Sequence, residues 1–302
     1  MKVLVTGAAG MIGTSLCESL AKSNINFLGI DLQLPQYSDM DLNYFKQIDC
    51  RKLNELLLLD SDFDMVIHLA AHSSVLPLIQ SPNLALENIS MTLNILEFCK
   101  IKNIKHVIFS SSREVYGSKK NYFFKEEDIN ITQIENPYGV SKLSCESLIA
   151  SYSKNFNLNA TICRFSNVYG KYDFTGRVIP IFIEKCLHNA PLTIFGKEKI
   201  LDFIYIIDVV NALEFLMHYT QKTQIEIFNI MSNQPINLSE IATILKEKTN
   251  SISEINIQEN RQGETSCFTG DNTKFLSLNP NFQLSNLDAS LSSTIQWYAP
   301  YF

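Results

Sequence analysis

Arginine is scarce in this chain: Arg51, Arg113, Arg164, Arg177 and Arg261 are all there are among 302 residues. Acidic residues outnumber lysine plus arginine by 31 to 25, for a net charge of −6. A nucleic-acid surface needs a basic patch, so this balance speaks against nucleic acid as a partner. An anionic small molecule stays open, but it needs local cations, so each arginine is worth locating. Cysteines stand at 17, 50, 99, 145, 163, 186 and 267, with no CxxC pair. That spacing disfavours zinc or dithiol redox chemistry, and no metal is expected. The scattered, odd set suits reduced thiols in the cytosol. No apolar run is long enough to span a bilayer, and a strand-like run starts straight after Met1 with no cleavable signal before it. A cytoplasmic protein with no membrane partner is expected. No repeat, low-complexity tract or long linker interrupts the chain.

What is present is periodic. KVLVTG is a short β-branched run closed by glycine, and reads as a buried parallel strand. MIGTSLCESLAKS follows with Ile12, Leu16 and Leu20 at helical spacing. INFLGID, FDMVIHLAA, IKHVIFSSS and LNATICRFSNVYG read as further strands, separated by helical patterns around 51–59, in SPNLALENISMTLNILEFCKIKN and in PYGVSKLSCESLIASYSKNF. Alternation of this kind predicts an α/β fold, a Rossmann-type doubly wound parallel sheet with helices on both faces. After about residue 170 the pattern loosens into shorter pieces. These predict a smaller α/β substrate-binding lobe over the carboxyl ends of the strands. The expected division is 1–170 for the dinucleotide-binding domain and 171–302 for the lobe, with part of 200–230 returning to the first.

The first turn reads GAAGMIG, with glycines at 7, 10 and 13. Gly7 permits the tight turn, Gly10 lets backbone approach a pyrophosphate, and Gly13 lets helix and strand pack closely. Three glycines alone are a weak signal; the strand before and the helix after strengthen it. Asp31 ends the second strand, where an acid takes the ribose hydroxyls and repels a 2′-phosphate, favouring NAD over NADP. Asp49 fits either the adenine end of a cofactor or a helix cap.

Tyr138 and Lys142 lie four apart on a predicted helix and so share a face. A nearby ammonium and a nicotinium charge are together expected to lower the tyrosine pKa and make Tyr138 a general base, with Ser112 sharing the substrate hydroxyl. A Tyr-x-x-x-Lys pair by itself is most often a surface accident. It gains weight from the glycine turn ahead of it and the serine-ended strand between. His68 and His106 sit beside apolar runs and read as core histidines. His72 is given no role. Arg164 reads as half of a structural ion pair, YGKYDF as lobe packing, and 119–128 as a charged loop.

The chain resembles the extended short-chain dehydrogenase/reductases, within the NAD-dependent epimerase/dehydratase family acting on nucleotide sugars. The resemblance rests on TGAAGMIG, HLAA at 68–71, ENISMTLNILE at 87–97, SSSREVYG, NPYGVSK at 136–142, RFSNVYG at 164–170, DFIYIIDVV at 202–210 and RQGETSCFTGDNTK at 261–274. It implies NAD as cofactor. Gly7, Gly10, Met11, Ile12 and Gly13 would hold its pyrophosphate, Asp31 its ribose, and Asp49 and Cys50 would flank adenine. Leu69, Ala70, Ala71, Ser110, Phe165 and Val168 would line the cofactor, with Asn88 nearby. It implies Tyr138 as base, Lys142 as its electrostatic partner, and Ser112 on the hydroxyl being oxidised. Asn167 and Arg261 would hold the substrate diphosphate. Thr193 and Phe195 would border the nucleotide base, with Ser73, Arg177 and Val178 in the same substrate site. Relatives often carry arginine where Leu201 stands, and Lys199 is the available substitute. The resemblance also implies a homodimer through helices around 85–100 and 138–155.

The reaction turns on Arg113 and Glu114. In a 4,6-dehydratase of this family an Asp-Glu pair follows the serine or threonine. The glutamate removes the C5 proton while the aspartate serves as acid to the leaving hydroxyl. Here Glu114 keeps the first position, but arginine holds its proton too tightly to serve in the second. The sequence therefore favours a UDP-sugar 4-epimerase working through a transient 4-keto sugar. A dehydratase or a UDP-glucuronate decarboxylase is the alternative that gives Glu114 a catalytic part, and a non-catalytic NAD-binding module is the alternative of another class. On an extended segment Arg113 would point away from the ligand and meet a surface acid.

Overall fold

The structure is a computed structural model, and it describes residues 1–59 and 62–302. Seven parallel strands form the main sheet, in the spatial order Ile225–Ile230, Asn159–Phe165, His106–Ser112, Met65–His68, Lys2–Thr6, Asn26–Asp31, Phe45–Gln47. Side chains alternate across it. Val3 and Val5 join the apolar cluster on one face, and Leu4 joins the cluster on the other. Helices Met11–Lys22 and Ile206–His218 cover the first face. Asn83–Ile101 and Pro137–Phe156 cover the second. Because both faces are covered, the central strands carry runs of consecutive apolar residues, such as Val3–Val5 and Val107–Phe109, rather than a strict apolar–polar alternation.

The chain runs outward from Lys2–Thr6 in one direction, then returns to its other side with Met65–His68. That reversal opens a crevice at the carboxyl ends of these two strands. A second body of chain closes over it. Its core gathers Val178–Leu187, Leu238–Thr249 and Leu287–Tyr298 around strands Leu192–Phe195 and Ile200–Tyr205. The aromatic segment anticipated as packing does pack: Phe174 stacks on Tyr37 at 4.2 Å and meets the Trp297 ring at 5.9 Å.

Candidate active site

A cavity of about 1020 Å³ runs from the first glycine turn, past the ends of the central strands, into the second body. Gly7 has φ +69°, and a side chain there would come within 2.6 Å of the Ala70 backbone. A Cβ on Gly13 would lie 2.1 Å from the Gly7 carbonyl. A Cβ on Gly10 would meet nothing closer than 3.3 Å. So Gly7 and Gly13 are required by the protein's own packing, while Gly10 leaves its space to whatever fills the cavity. Helix Met11–Lys22 presents its amino end there, with unpaired N–H groups suited to a pyrophosphate. Asp31 accepts from the Ala9 N–H at 3.0 Å, and burial raises its pKa. Cys50 and Asp49 line the same end. Asp49 is not a helix cap; it is held by Arg51 at 2.9 Å, a hydrogen bond that lowers its pKa. These groups fit a dinucleotide: a glycine cradle, a helix amino end and a carboxylate at the end of the second strand.

Leu69, Ala70, Ala71, Ser110, Phe165 and Val168 form the wall, as placed by the sequence. Asn88 does not line it. Its amide is buried, accepting from the His72 N–H at 2.8 Å and donating to the Ser141 hydroxyl at 3.1 Å. Asn88 therefore props the 69–72 loop and ties it to the helix that carries Tyr138. It supports the site from behind rather than touching a cofactor.

The three serines divide the work at the strand end. Ser110 donates to the His68 carbonyl at 3.1 Å. Ser111 donates to Glu146 at 2.5 Å, and Glu146 grips Arg164 through two bonds at 2.9 and 2.7 Å. Ser112 accepts from the Glu114 N–H at 3.2 Å, and so caps a single 3₁₀ turn over Arg113–Val115. That turn corrects the expectation of an extended segment. Arg113 and Glu114 do not point to opposite sides. Both are buried, both line the cavity, and Arg113 pairs with Glu114 itself at 2.7 Å.

Glu114 is bound from three directions. Besides Arg113, it accepts from the Asn136 amide at 2.8 Å and the Thr265 hydroxyl at 2.9 Å. Neither partner was singled out in the sequence. Asn136 carried a signal, since it precedes a proline at a helix start, and its side-chain oxygen does cap Gly139 at 2.9 Å. Thr265 lies 151 residues from Glu114 and carried none.

Tyr138 and Lys142 share a helix face and line the cavity beside Ser112. Lys142 donates to the Ser110 carbonyl at 2.7 Å, and its nitrogen is 5.7 Å from the Tyr138 ring centre. Burial lowers the lysine pKa to about 8 and raises that of Tyr138 to about 12. The protein by itself holds Tyr138 as a phenol, because burial outweighs the pull of the Arg177 charge. The expected depression joins the Lys142 ammonium to a nicotinium charge, which only a bound cofactor supplies.

The remaining substrate residues line the rest of the cavity. Arg177 donates to Ser73 at 3.1 Å and faces Asp173 at 3.5 Å. Asn167 donates to the Asp202 carbonyl at 2.8 Å and accepts from Arg113 at 3.2 Å. Arg261 stacks on the Phe195 ring, 3.6 Å from its centre, and Thr193 and Val178 lie along the same wall. Lys199 lies in the cavity near Leu201 and is paired with Glu264 at 2.7 Å. His68 is a satisfied core histidine, between Thr6 at 2.7 Å and Thr92 at 3.2 Å. Its pKa is lowered to about 3 by burial. Among the described residues there is no cluster able to hold a metal, and no helix long and apolar enough to cross a membrane.

A glycine-cradled dinucleotide site opening onto a serine–tyrosine–lysine ledge defines an NAD-dependent oxidoreductive enzyme of the short-chain dehydrogenase/reductase type. The family model described as "NAD dependent epimerase/dehydratase family" matches residues 3–230, and the chain belongs to that family. A putative UDP-glucose 4-epimerase of Methanocaldococcus jannaschii is 31% identical over 272 residues, covering 87% of each chain. A dTDP-D-glucose 4,6-dehydratase of Dictyostelium discoideum is 32% identical over 277 residues, 79% of this chain and 62% of the relative. The solved UDP-glucuronic acid 4-epimerase of Bacillus cereus, bound to UDP-glucuronic acid and NAD, aligns over the full length of both chains with a TM-score of 0.87 and 29% identity.

Proposed function

We propose that this chain is a nucleotide-sugar 4-epimerase acting on a UDP-sugar through a transient 4-keto sugar. The observation that carries the reading is the state of Glu114. A dehydratase needs this carboxylate free to take the C5 proton, with an acid beside it for the leaving hydroxyl. Here the carboxylate accepts from Asn136 and Thr265 and is paired with Arg113, and the neighbour is a guanidinium. A carboxylate already engaged by three donors is not free to reach for that proton. Epimerisation needs neither group: one proton moves at a single hydroxyl and later returns.

The chain's own part follows from the ledge. Ser112 holds the sugar hydroxyl, and Tyr138 takes its proton and later gives it back. Lys142, fixed on the Ser110 carbonyl, keeps an ammonium near the phenol. Bound NAD supplies the hydride acceptor and a positive charge that favours the phenolate. Arg177, Asn167 and Arg261 orient the diphosphate and leave the sugar free to turn between them and the ledge. The names of the Methanocaldococcus and Bacillus relatives support a UDP-sugar. The intact Ser112, Tyr138 and Lys142 in one cavity weigh against a non-catalytic module. On this reading the enzyme is a cytoplasmic homodimer. Helices Asn83–Ile101 and Pro137–Phe156 form the contact, their exposed Leu86, Leu93, Val140 and Phe156 being the apolar surface available for it.

The test is product analysis by mass spectrometry and proton NMR, with the NAD-loaded protein and a panel of UDP-, dTDP-, CDP- and GDP-sugars including UDP-glucuronate. An unchanged mass with an inverted C4 coupling pattern is expected. Loss of water or carbon dioxide would overturn the reading and make Glu114 a reacting group.

A further inference from the structure

Arg113 is a cation on the ledge that 4-epimerisation does not use. Its side chain is 9% exposed. A guanidinium carries five N–H donors in a planar fork. Nε donates to the Asn167 side chain at 3.2 Å, and Nη2 pairs with Glu114 at 2.7 Å. Nη1 is buried and meets no acceptor among the described residues. The Phe268 ring, 5.4 Å from the guanidinium carbon, helps hold the fork in place. Glu114 does not fully serve this cation, because the same carboxylate also accepts from Asn136 and Thr265. A buried donor without an acceptor is costly, and a ligand that brings one recovers that cost.

Several other cations in the cavity already have protein partners. Arg177 is held by Ser73 and faces Asp173, and Lys199 and Arg261 share Glu264. Arg113 directly follows Ser112, the residue that would hold the reacting hydroxyl, whereas Lys142 is fixed on the Ser110 carbonyl. On a hexose, the groups next to the C4 hydroxyl are the C3 hydroxyl and the C6 substituent. Of these, C6 is the one that carries a carboxylate, in the hexuronic acids. A carboxylate is also the acceptor whose geometry matches the fork.

We propose that Arg113 is a specificity-determining residue that selects a nucleotide-linked hexuronic acid by accepting its C6 carboxylate onto the guanidinium fork. This rests on the 4-epimerase reading of the same cavity. It assigns the arginine a ligand and leaves Glu114 the task of orienting it.

The test is calorimetric titration of the NAD-loaded protein carrying Tyr138→Phe, which halts turnover, with UDP-glucuronate and with UDP-glucose. The nucleotide is common to both, so the ratio of affinities isolates the carboxylate. UDP-glucuronate should bind about 10- to 100-fold tighter, the range of one charge-assisted hydrogen bond. The double replacement Arg113→Gln with Glu114→Gln leaves no unpaired charge, and it should bring the ratio to about one. Arg113→Lys keeps the charge without the fork and should give an intermediate ratio. Equal affinities in the parent, or a preference that survives the double replacement, overturn the inference and leave the epimerase reading standing. Failure of both sugar nucleotides to bind overturns the two together. Should the double replacement fail to fold, the parent's ratio and the Arg113→Lys ratio still decide.

Discussion

Seven consecutive residues, Gly7 to Gly13, make the turn that opens one end of the cavity, and its constraints are met within that turn and against Ala70. At the other end, Glu114 alone draws its partners from positions 113, 136 and 265. The first region offers a ligand mainly backbone, a helix amino end and a single acid. The second works with charged and hydroxyl side chains from separate elements. Backbone recognition is cheap to encode and tolerant of the rest of the chain. Side-chain recognition depends on every supporting contact, so the two ends should respond differently to substitution.

The largest effect is expected at the ledge. Tyr138→Phe removes the proton carrier and should lower kcat by ~10²- to 10⁴-fold, with NAD binding and thermal unfolding little changed. Steady-state turnover beside a melting curve checks this, and undiminished turnover would remove Tyr138 from the chemistry. Next comes the buried pair. Glu114→Gln leaves Arg113 without its counter-charge and should cost ~3–5 kcal/mol of stability. Thr265→Val removes one neutral donor and should cost ~1 kcal/mol. Denaturant midpoints measure both, and similar losses for the two would contradict the charge account.

Acid reaches the core through His68. Its folded pKa of about 3 lies below the ordinary 6.5, so the unfolded chain takes up the proton first. The stability from burying a neutral imidazole is complete above pH 6.5 and is lost as the pH falls toward 3. This group should contribute a loss of ~3 kcal/mol by pH 4. His68→Gln should flatten that limb of a stability–pH curve, and a curve that stays equally steep would assign acid sensitivity elsewhere.

At the cofactor end, Gly13→Ala forces a Cβ to within 2.1 Å of a carbonyl and should cost ~1–3 kcal/mol. Gly10→Ala should leave stability nearly intact and weaken NAD binding instead, which unfolding and NAD titration together resolve. The smallest effect belongs to Arg51, paired with Asp49 and Glu87 at the exposed rim. Arg51→Ala should change stability by less than ~1 kcal/mol.

Much of this molecule is written in local pattern. Apolar runs of strand length alternating with helical spacing specify the parallel sheet, because both periods arise from backbone geometry alone. The glycine turn is equally legible, since the positive φ at Gly7 and the close approach at Gly13 demand glycine wherever such a turn occurs. The spacing of Tyr138 and Lys142 puts them on one helix face for the same reason. What tertiary structure decided was charge state and partnership. Whether Tyr138 is phenol or phenolate depends on burial against neighbouring charge, and burial is the larger here. Asn88 reads like a cavity residue in the sequence but turns its amide to the 69–72 loop. Arg113 would face solvent if its segment were extended, yet Ser112 caps a 3₁₀ turn that carries it inward onto Glu114. Thr265 becomes part of the ledge because the fold brings it there across 151 residues. Local geometry is set by neighbours in the chain, whereas the electrostatics of a buried site is a sum over neighbours in space.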